Sequence, residues 1–143
     1  MIAVDTNILV YAHRADMAWH EKASAQVREL AESGRPWAIP WPCIHEFLAV
    51  VTHARVFDPP TPVESALAQV DIWHESPGLA LLSERGGYWP ALRRSLTESG
   101  TSGPRIHDAR IAALCLAHRV RELWSVDRDF SRFPALVTRN PLA

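Results

Sequence analysis

Short apolar segments alternate with longer amphipathic ones along this chain, and this alternation limits the fold more than any other feature. Residues 2–4, 37–39 and 79–82 have the length and apolar character of buried strands. The longer segments between them carry apolar residues at helical spacing. Strands that alternate with helices predict an α/β fold with a central, mainly parallel sheet.

The same patterns give approximate bounds for the other elements. A first helix follows Asp5, and a further strand and a last extended piece are predicted at 123–126 and 136–138. The other helices are predicted over 20–33, 42–56, 62–73, 88–98 and 106–120.

Composition narrows the class of protein. With 143 residues, 48% of them hydrophobic and 22% charged, the chain fits one globular domain rather than a disordered or fibrous protein. A net charge of −1 gives no overall positive field, so a basic surface would have to be local. No apolar stretch is long enough to span a membrane and no secretion signal is present, which predicts a soluble, cytoplasmic protein. Cys43 and Cys115 lack the spacing of a zinc site and are expected to be buried.

Four acidic residues are expected at one edge of the sheet. Ligands of parallel sheets bind at the carboxyl ends of the strands. Asp5 and Asp127 each follow a predicted strand, while Glu46 and Asp108 lie in the first turns of helices that can begin at the same edge. Four neighbouring carboxylates repel one another unless a cation neutralises them. Oxygen ligands alone favour Mg²⁺ or Mn²⁺, and such a site suits the hydrolysis of a phosphodiester bond to 5′-phosphate and 3′-hydroxyl ends.

Each acid also has a purely structural interpretation. Asp5 is a good helix cap, Asp108 suits the positive end of a helix, Glu46 fits a solvated helix surface, and 127–129 fits a turn. Spacing alone leaves the two interpretations about equally supported.

Four segments carry a family resemblance. They read VDTNILVYAHR, PCIHEFLAVVTH, IHDARIAALCLAHRV and LWSVDRDFSRFPALVTRNP, and together they cover nearly the whole chain. In this order they resemble PIN-domain proteins, specifically the VapC toxins of bacterial toxin–antitoxin pairs. The resemblance implies a single PIN domain over 1–143 with a three-layer α/β/α fold. It also implies a Mg²⁺- or Mn²⁺-dependent endoribonuclease that cuts structured RNA, such as tRNA or rRNA, and inhibits translation.

The resemblance assigns roles and partners as well. Asp5, Glu46, Asp108 and Asp127 would be the catalytic, metal-binding acids, and Asp129 would share or take over the contact of Asp127. The implied partners are a VapB-type antitoxin and a second copy of the chain, which helices 42–56 and 62–73 would contact. Other expected roles are orientation of the acids by Asn7 and Ser125, and phosphate binding by Arg14, Arg105, Arg110 and Arg128.

Two departures from the family pattern stand out. Ser125 replaces a common Thr, a mild change because either hydroxyl can hold a carboxylate. The family commonly has Gly where the long helix ends, whereas this chain reads HRVR over 118–121.

Three alternatives stay open on the sequence. A phosphoaspartyl phosphatase or receiver domain also begins with a strand and an Asp, but Asn7 stands where the phosphatase needs a second Asp. The lone Lys22 lies too early for the receiver. A solitary PIN nuclease of RNA processing would use the same acids, and a catalytically silent PIN module would bind RNA or protein without cutting.

Overall fold

The structure, a computed structural model, describes residues 1–143 and contains a five-stranded parallel sheet. The strands are β1 (Ile2–Val4), β2 (Trp37–Pro40), β3 (Leu79–Leu82), β4 (Glu122–Trp124) and β5 (Thr138–Arg139). Their spatial order is β3-β2-β1-β4-β5, with β1 in the centre. Ala3 pairs with Ala38 on one side and with Leu123 on the other. This order differs from the 2-1-3-4-5 order of receiver domains, so that alternative is wrong.

Six helices cover the sheet. They are α1 (Thr6–His13), α2 (His20–Glu32), α3 (Trp41–Val51), α4 (Val63–His74), α5 (Tyr88–Ser99) and α6 (Ile106–Ala117). Helix α1 packs on α2 and α3, α3 packs on α4, and α5 packs on α6. In the sheet, the chain runs from β1 through β2 to β3 and then crosses to β4, on the other side of β1. Because the connections are right-handed, helices α1 to α4 cover one face of the sheet, and α5 and α6 cover the opposite face. The predicted three-layer α/β/α architecture is confirmed. None of the helices combines the length and the apolar character that crossing a membrane requires.

The core lies on both faces of the central strands. Ala3, Val4, Trp37 and Ala38 are fully buried, and both cysteines are buried as expected. Because parallel strands are covered on both sides, their residues are apolar without alternation. The buried strands β1 and β4 therefore fix the positions of the residues that follow their carboxyl ends.

Two predicted helix ends are wrong. The third helix ends at Val51 rather than at 56. The Thr52 amide turns to the Val50 carbonyl, the Thr61 amide donates to the Val51 carbonyl at 2.8 Å, and residues 53–62 form a loop. The sixth helix ends at Ala117 rather than at 120. There Arg119 has φ 57°, the left-handed conformation that glycine normally supplies after a helix.

The strand predicted over 123–126 is also shorter. The pairing of β4 with β1 ends at Trp124, and the Ser125 hydroxyl then accepts from the Asp127 amide at 3.0 Å. This local bond bends the chain off the strand direction. Asp127 thus lies at the start of a short 3₁₀ helix, Arg128–Arg132, rather than directly on a strand end.

Candidate active site

Asp5 is the most buried acid of the sheet edge. It follows β1 and caps α1, where its Oδ1 accepts from the Thr6 amide at 2.8 Å. Its Oδ2 accepts from the Ser125 hydroxyl at 2.7 Å and from Asn7 Nδ2 at 3.4 Å, and the Cys43 thiol lies 3.5 Å from Oδ1. Burial raises the pKa of Asp5 to about 6, although the hydrogen bonds from Ser125 and Thr6 act in the opposite direction.

Ser125 joins two of the predicted acids. Its Oγ donates to Asp5 and accepts from the Asp127 amide and from Asn7 Nδ2, the last at 3.2 Å. Asn7 Oδ1 in turn accepts from the Val126 amide at 3.3 Å. The structure therefore places both predicted orienting residues between the ends of β1 and β4, where they fix Asp5 relative to Asp127.

Asp108, Asp127 and Asp129 form an acidic group separate from Asp5. One carboxylate oxygen from each lies within 4.8 Å of the others. The pKa of Asp108 is raised, first by partial burial and then by the charges of Asp127 and Asp129, while Arg105 partly offsets them. Arg105 binds Asp129 at 2.9 Å. The negative charge of this group is thus incompletely neutralised by the chain itself.

One pocket of about 290 Å³ lies between Asp5 and this acidic group. Asp5, Glu46, Asp108 and Asp127 all line it, whereas Asp129 does not. Glu46 reaches it from α3 and accepts from the Thr6 hydroxyl at 3.3 Å. The structural interpretation of Asp5 as a cap is correct, yet the same side chain also faces the pocket. Capping and a site role are therefore compatible at this position.

The donor set suits a hard divalent cation. The pocket offers carboxylate oxygens, which are the ligands that Mg²⁺ and Mn²⁺ prefer. Burial is the main cause of the raised pKa values of Asp5 and Asp108, and the charges of neighbouring acids add to it, so a bound cation would favour the charged forms of both carboxylates. Cys43 is unsuited as a ligand, since burial raises its pKa well above the usual value. The residues present fit the implied metal.

The four arginines expected to bind phosphate lie in different surroundings. Arg105 binds Asp129 beside the pocket, and Arg128 is exposed next to Asp127. Arg110 pairs with Glu84, outside the acidic group. Arg14 pairs with Asp16 at 2.7 Å and stacks on the Phe57 ring.

The apolar half of the pocket was missed by reasoning from the sequence. Tyr11, Met17, Val56 and Phe57 line the pocket together with the acids, and they belong to α1, the turn after it and the loop after α3. The sequence pattern predicts that residues 53–56 continue a helix, which would leave no loop at this place. The AspProPro break at 58–60 is the one available sign that the chain turns here.

Comparison with known proteins decides the family. The family model described as PIN domain matches residues 2–136. The chain belongs to the PIN domain family. It is 37% identical over 142 residues to "Ribonuclease VapC43" of Mycobacterium tuberculosis H37Rv, a match that covers 99% of this chain and 96% of that protein. It is 31% identical to "Ribonuclease VapC48" of the same strain, covering 97% and 96%. The predicted resemblance to VapC-type PIN proteins is confirmed, and the phosphoaspartyl alternatives are wrong.

Solved structures agree with the PIN fold. The structure described as VapBC2 from Rickettsia felis bound to a DNA fragment from their promoter superposes with a TM-score of 0.67 and 22% identity, covering 97% of this chain and 98% of that one. Mycobacterium tuberculosis VapC20, described as a sarcin-ricin loop cleaving toxin, gives a TM-score of 0.66 and 18% identity, covering 92% and 93%. At these identities the likeness concerns the fold of the PIN domain.

Proposed function

We propose that this PIN domain is a metal-dependent endoribonuclease, the toxin of a VapBC-type toxin–antitoxin pair, which cuts structured RNA such as tRNA or rRNA and so inhibits translation. One observation carries the proposal: Asp5, Glu46, Asp108 and Asp127, far apart in sequence, line one small pocket. Relatives named ribonucleases, similar over nearly their whole length, support the same activity.

The four pocket acids are the proposed metal ligands. Mg²⁺ or Mn²⁺ would be held by Asp5, Glu46, Asp108 and Asp127, with Asp129 as a further ligand through its closeness to Asp108. When bound, the cation supplies Lewis-acid chemistry, offsetting phosphate charge and lowering the pKa of water. The expected products carry 5′-phosphate and 3′-hydroxyl ends.

The other residues of the site position these acids. Ser125 and Asn7 fix the Asp5 carboxylate, so its orientation requires no rearrangement when a ligand arrives. Arg105 and Arg128 lie on the Asp129 side and are the arginines best placed to hold an RNA phosphate. Arg14 and Arg110 are engaged with Asp16 and Glu84, so we assign them weaker roles.

The proposed assembly follows the family. We propose that residues 1–143 act as one PIN domain, because Ala3 and Leu142 belong to the same hydrophobic cluster. A VapB-type antitoxin and a second copy of the chain are the proposed partners. The surface of α4 supports an interface, since Leu67 and Ile72 are large apolar residues that remain exposed. The cytoplasm is the proposed location, where RNA and antitoxin are both present.

Cleavage of a total tRNA and rRNA pool by purified protein tests the activity. Cuts are expected with Mg²⁺ or Mn²⁺ and not with EDTA. Asp108→Asn should abolish them, whereas the matched control Asp71→Asn, on the exposed surface of α4, should cut normally. Intact RNA under every condition, from folded protein free of antitoxin, would favour a catalytically silent binding module. Products with 2′,3′-cyclic phosphate would contradict the hydrolytic mechanism, because they require the ribose hydroxyl as the nucleophile.

A further inference from the structure

The acidic pocket has an apolar wall that phosphodiester hydrolysis does not use. Tyr11, Met17, Val56 and Phe57 face the same 290 Å³ space as the carboxylates. Val56 is 56% exposed, although the adjacent Phe57 is buried. An exposed apolar side chain beside a charged cluster favours a ligand with an apolar part.

Contacts from the end of α1 hold this apolar wall in place. The Arg14 guanidinium lies 4.2 Å from the centre of the Phe57 ring and donates to the Pro59 carbonyl and to the Thr61 hydroxyl, each at 3.1 Å. His13 bonds the same hydroxyl at 3.2 Å. The end of α1 therefore fixes the loop that carries Val56, and the wall is preformed rather than assembled when a ligand binds.

The volume of the pocket favours a small occupant. At about 290 Å³ the pocket is at the lower end for bound small molecules, and a whole helix, roughly 10 Å across, does not enter it. Tyr11 offers a half-buried aromatic ring, and its hydroxyl makes no hydrogen bond within the chain. Met17 and Val56 offer apolar contact. A nucleobase has the shape and surface that these groups fit.

We propose that the wall formed by Tyr11, Met17, Val56 and Phe57 holds one unstacked base of the RNA, that of a nucleotide adjoining the cleaved phosphate. The inference rests on the proposed nuclease function and specifies how substrate enters the site. RNA loops present unstacked bases, which proteins bind by stacking on aromatic rings. Because the Tyr11 hydroxyl is the main polar group of the wall, the presence of a base matters more than its identity.

Abasic substrates test this directly. The RNA hairpin that contains the site cut in the tRNA and rRNA pool is synthesised intact and with an abasic nucleotide on either side of the cut. Both kcat/KM of the native protein and the Kd of the inactive Asp108→Asn protein are then measured. Loss of the base on one side should weaken both about 5- to 100-fold, as expected for one base–aromatic stack. All four bases at that position should be accepted within a few-fold.

Variants of the wall residues test whether the penalty of the abasic hairpin arises at the wall. Tyr11→Ala and Val56→Ala should each weaken binding of the intact hairpin and reduce the penalty of the abasic one. The matched control Val137→Ala, in which the lost side chain is 58% exposed at the other end of the chain, should behave as native. If Tyr11→Ala fails to fold, Val56→Ala still tests the proposal, because the exposed Val56 side chain does not support the core.

Two results would overturn the inference. Abasic hairpins that bind and react like intact ones would assign the wall to a protein partner instead. An abasic penalty that stays unchanged in Tyr11→Ala and Val56→Ala would place the base elsewhere. In both cases the native protein still cuts RNA, so the proposed function stands. Absence of any cutting by the native protein would reject the proposed function and this inference together.

Discussion

Replacement of Asp5 by Asn should make the metal-free protein progressively more stable, relative to the native protein, as pH rises. The pKa of Asp5 is raised from 3.8 to about 6, mainly by burial. The folded protein therefore holds this proton more tightly than the unfolded chain does. The stability that this provides is complete below about pH 4 and is lost as pH rises through about 6. Asn stays neutral throughout and has no such loss.

The magnitude follows from the shift. Slightly more than two pH units at 1.36 kcal/mol each correspond to about 3 kcal/mol. The difference in unfolding free energy between Asp5→Asn and native protein should therefore increase by about 3 kcal/mol between about pH 4 and pH 8. Asn also places an amide group beside Asn7 and Ser125, which costs about 1–3 kcal/mol. Because that cost is the same at each pH, it shifts the curve without changing its slope.

Urea denaturation in EDTA, repeated from about pH 4 to pH 8, measures this difference. Asp71→Asn corrects for the general effect of removing one carboxylate from the surface. A constant difference for Asp5→Asn across the range would refute the reasoning, because it would mean that Asp5 is charged in the folded protein at every pH studied and serves as an ordinary helix cap.

Three further predictions concern the same site and its support. Saturating Mg²⁺, at about 100 times its Kd, should stabilise the native protein by about 2.7 kcal/mol in a thermal melt and Asp108→Asn much less; equal shifts would argue against metal binding at the pocket. Ser125→Ala should lower kcat/KM for RNA by about 10- to 100-fold and Ser125→Thr should restore it, since the hydroxyl orients Asp5; equal loss in both would leave the hydroxyl without a role. Arg119→Gly should raise stability by about 1 kcal/mol, measured by urea denaturation, because glycine adopts φ 57° without strain; a less stable variant would show that the Arg119 side chain makes a compensating contact.

The sequence was sufficient for the features that local patterns encode. The three residues of β1 are apolar and are followed at once by a capping acid, so both the strand and the place of Asp5 could be predicted. Asp108 was predictable for a similar reason, as an acid in the first turn of an apolar helix. These features depend on neighbours in the chain, and the parallel fold then brings the strand ends to one edge.

The loop after α3 could not be predicted in the same way. Residues 52–57 contain no glycine or proline that would stop a helix, which made a longer helix the natural prediction. The actual loop is held by Arg14 on Phe57 and on Thr61, contacts that span more than 40 residues of sequence. Long-range contacts of this kind override local propensity. They also create the apolar wall, which is why that half of the site was not predicted.

The electrostatics of the site link stability to ligand binding. No basic side chain contributes to the environment of Asp5, where Ser125, Thr6 and Cys43 provide only neutral donors. An arginine in contact with Asp5 would neutralise its charge permanently, and the pocket would then attract a cation less strongly. The chain instead leaves a charge that destabilises the free protein by about 3 kcal/mol at neutral pH. A divalent cation would offset that destabilisation on binding. The same uncompensated acid that weakens the metal-free domain therefore strengthens the attachment of the metal on which the proposed chemistry depends.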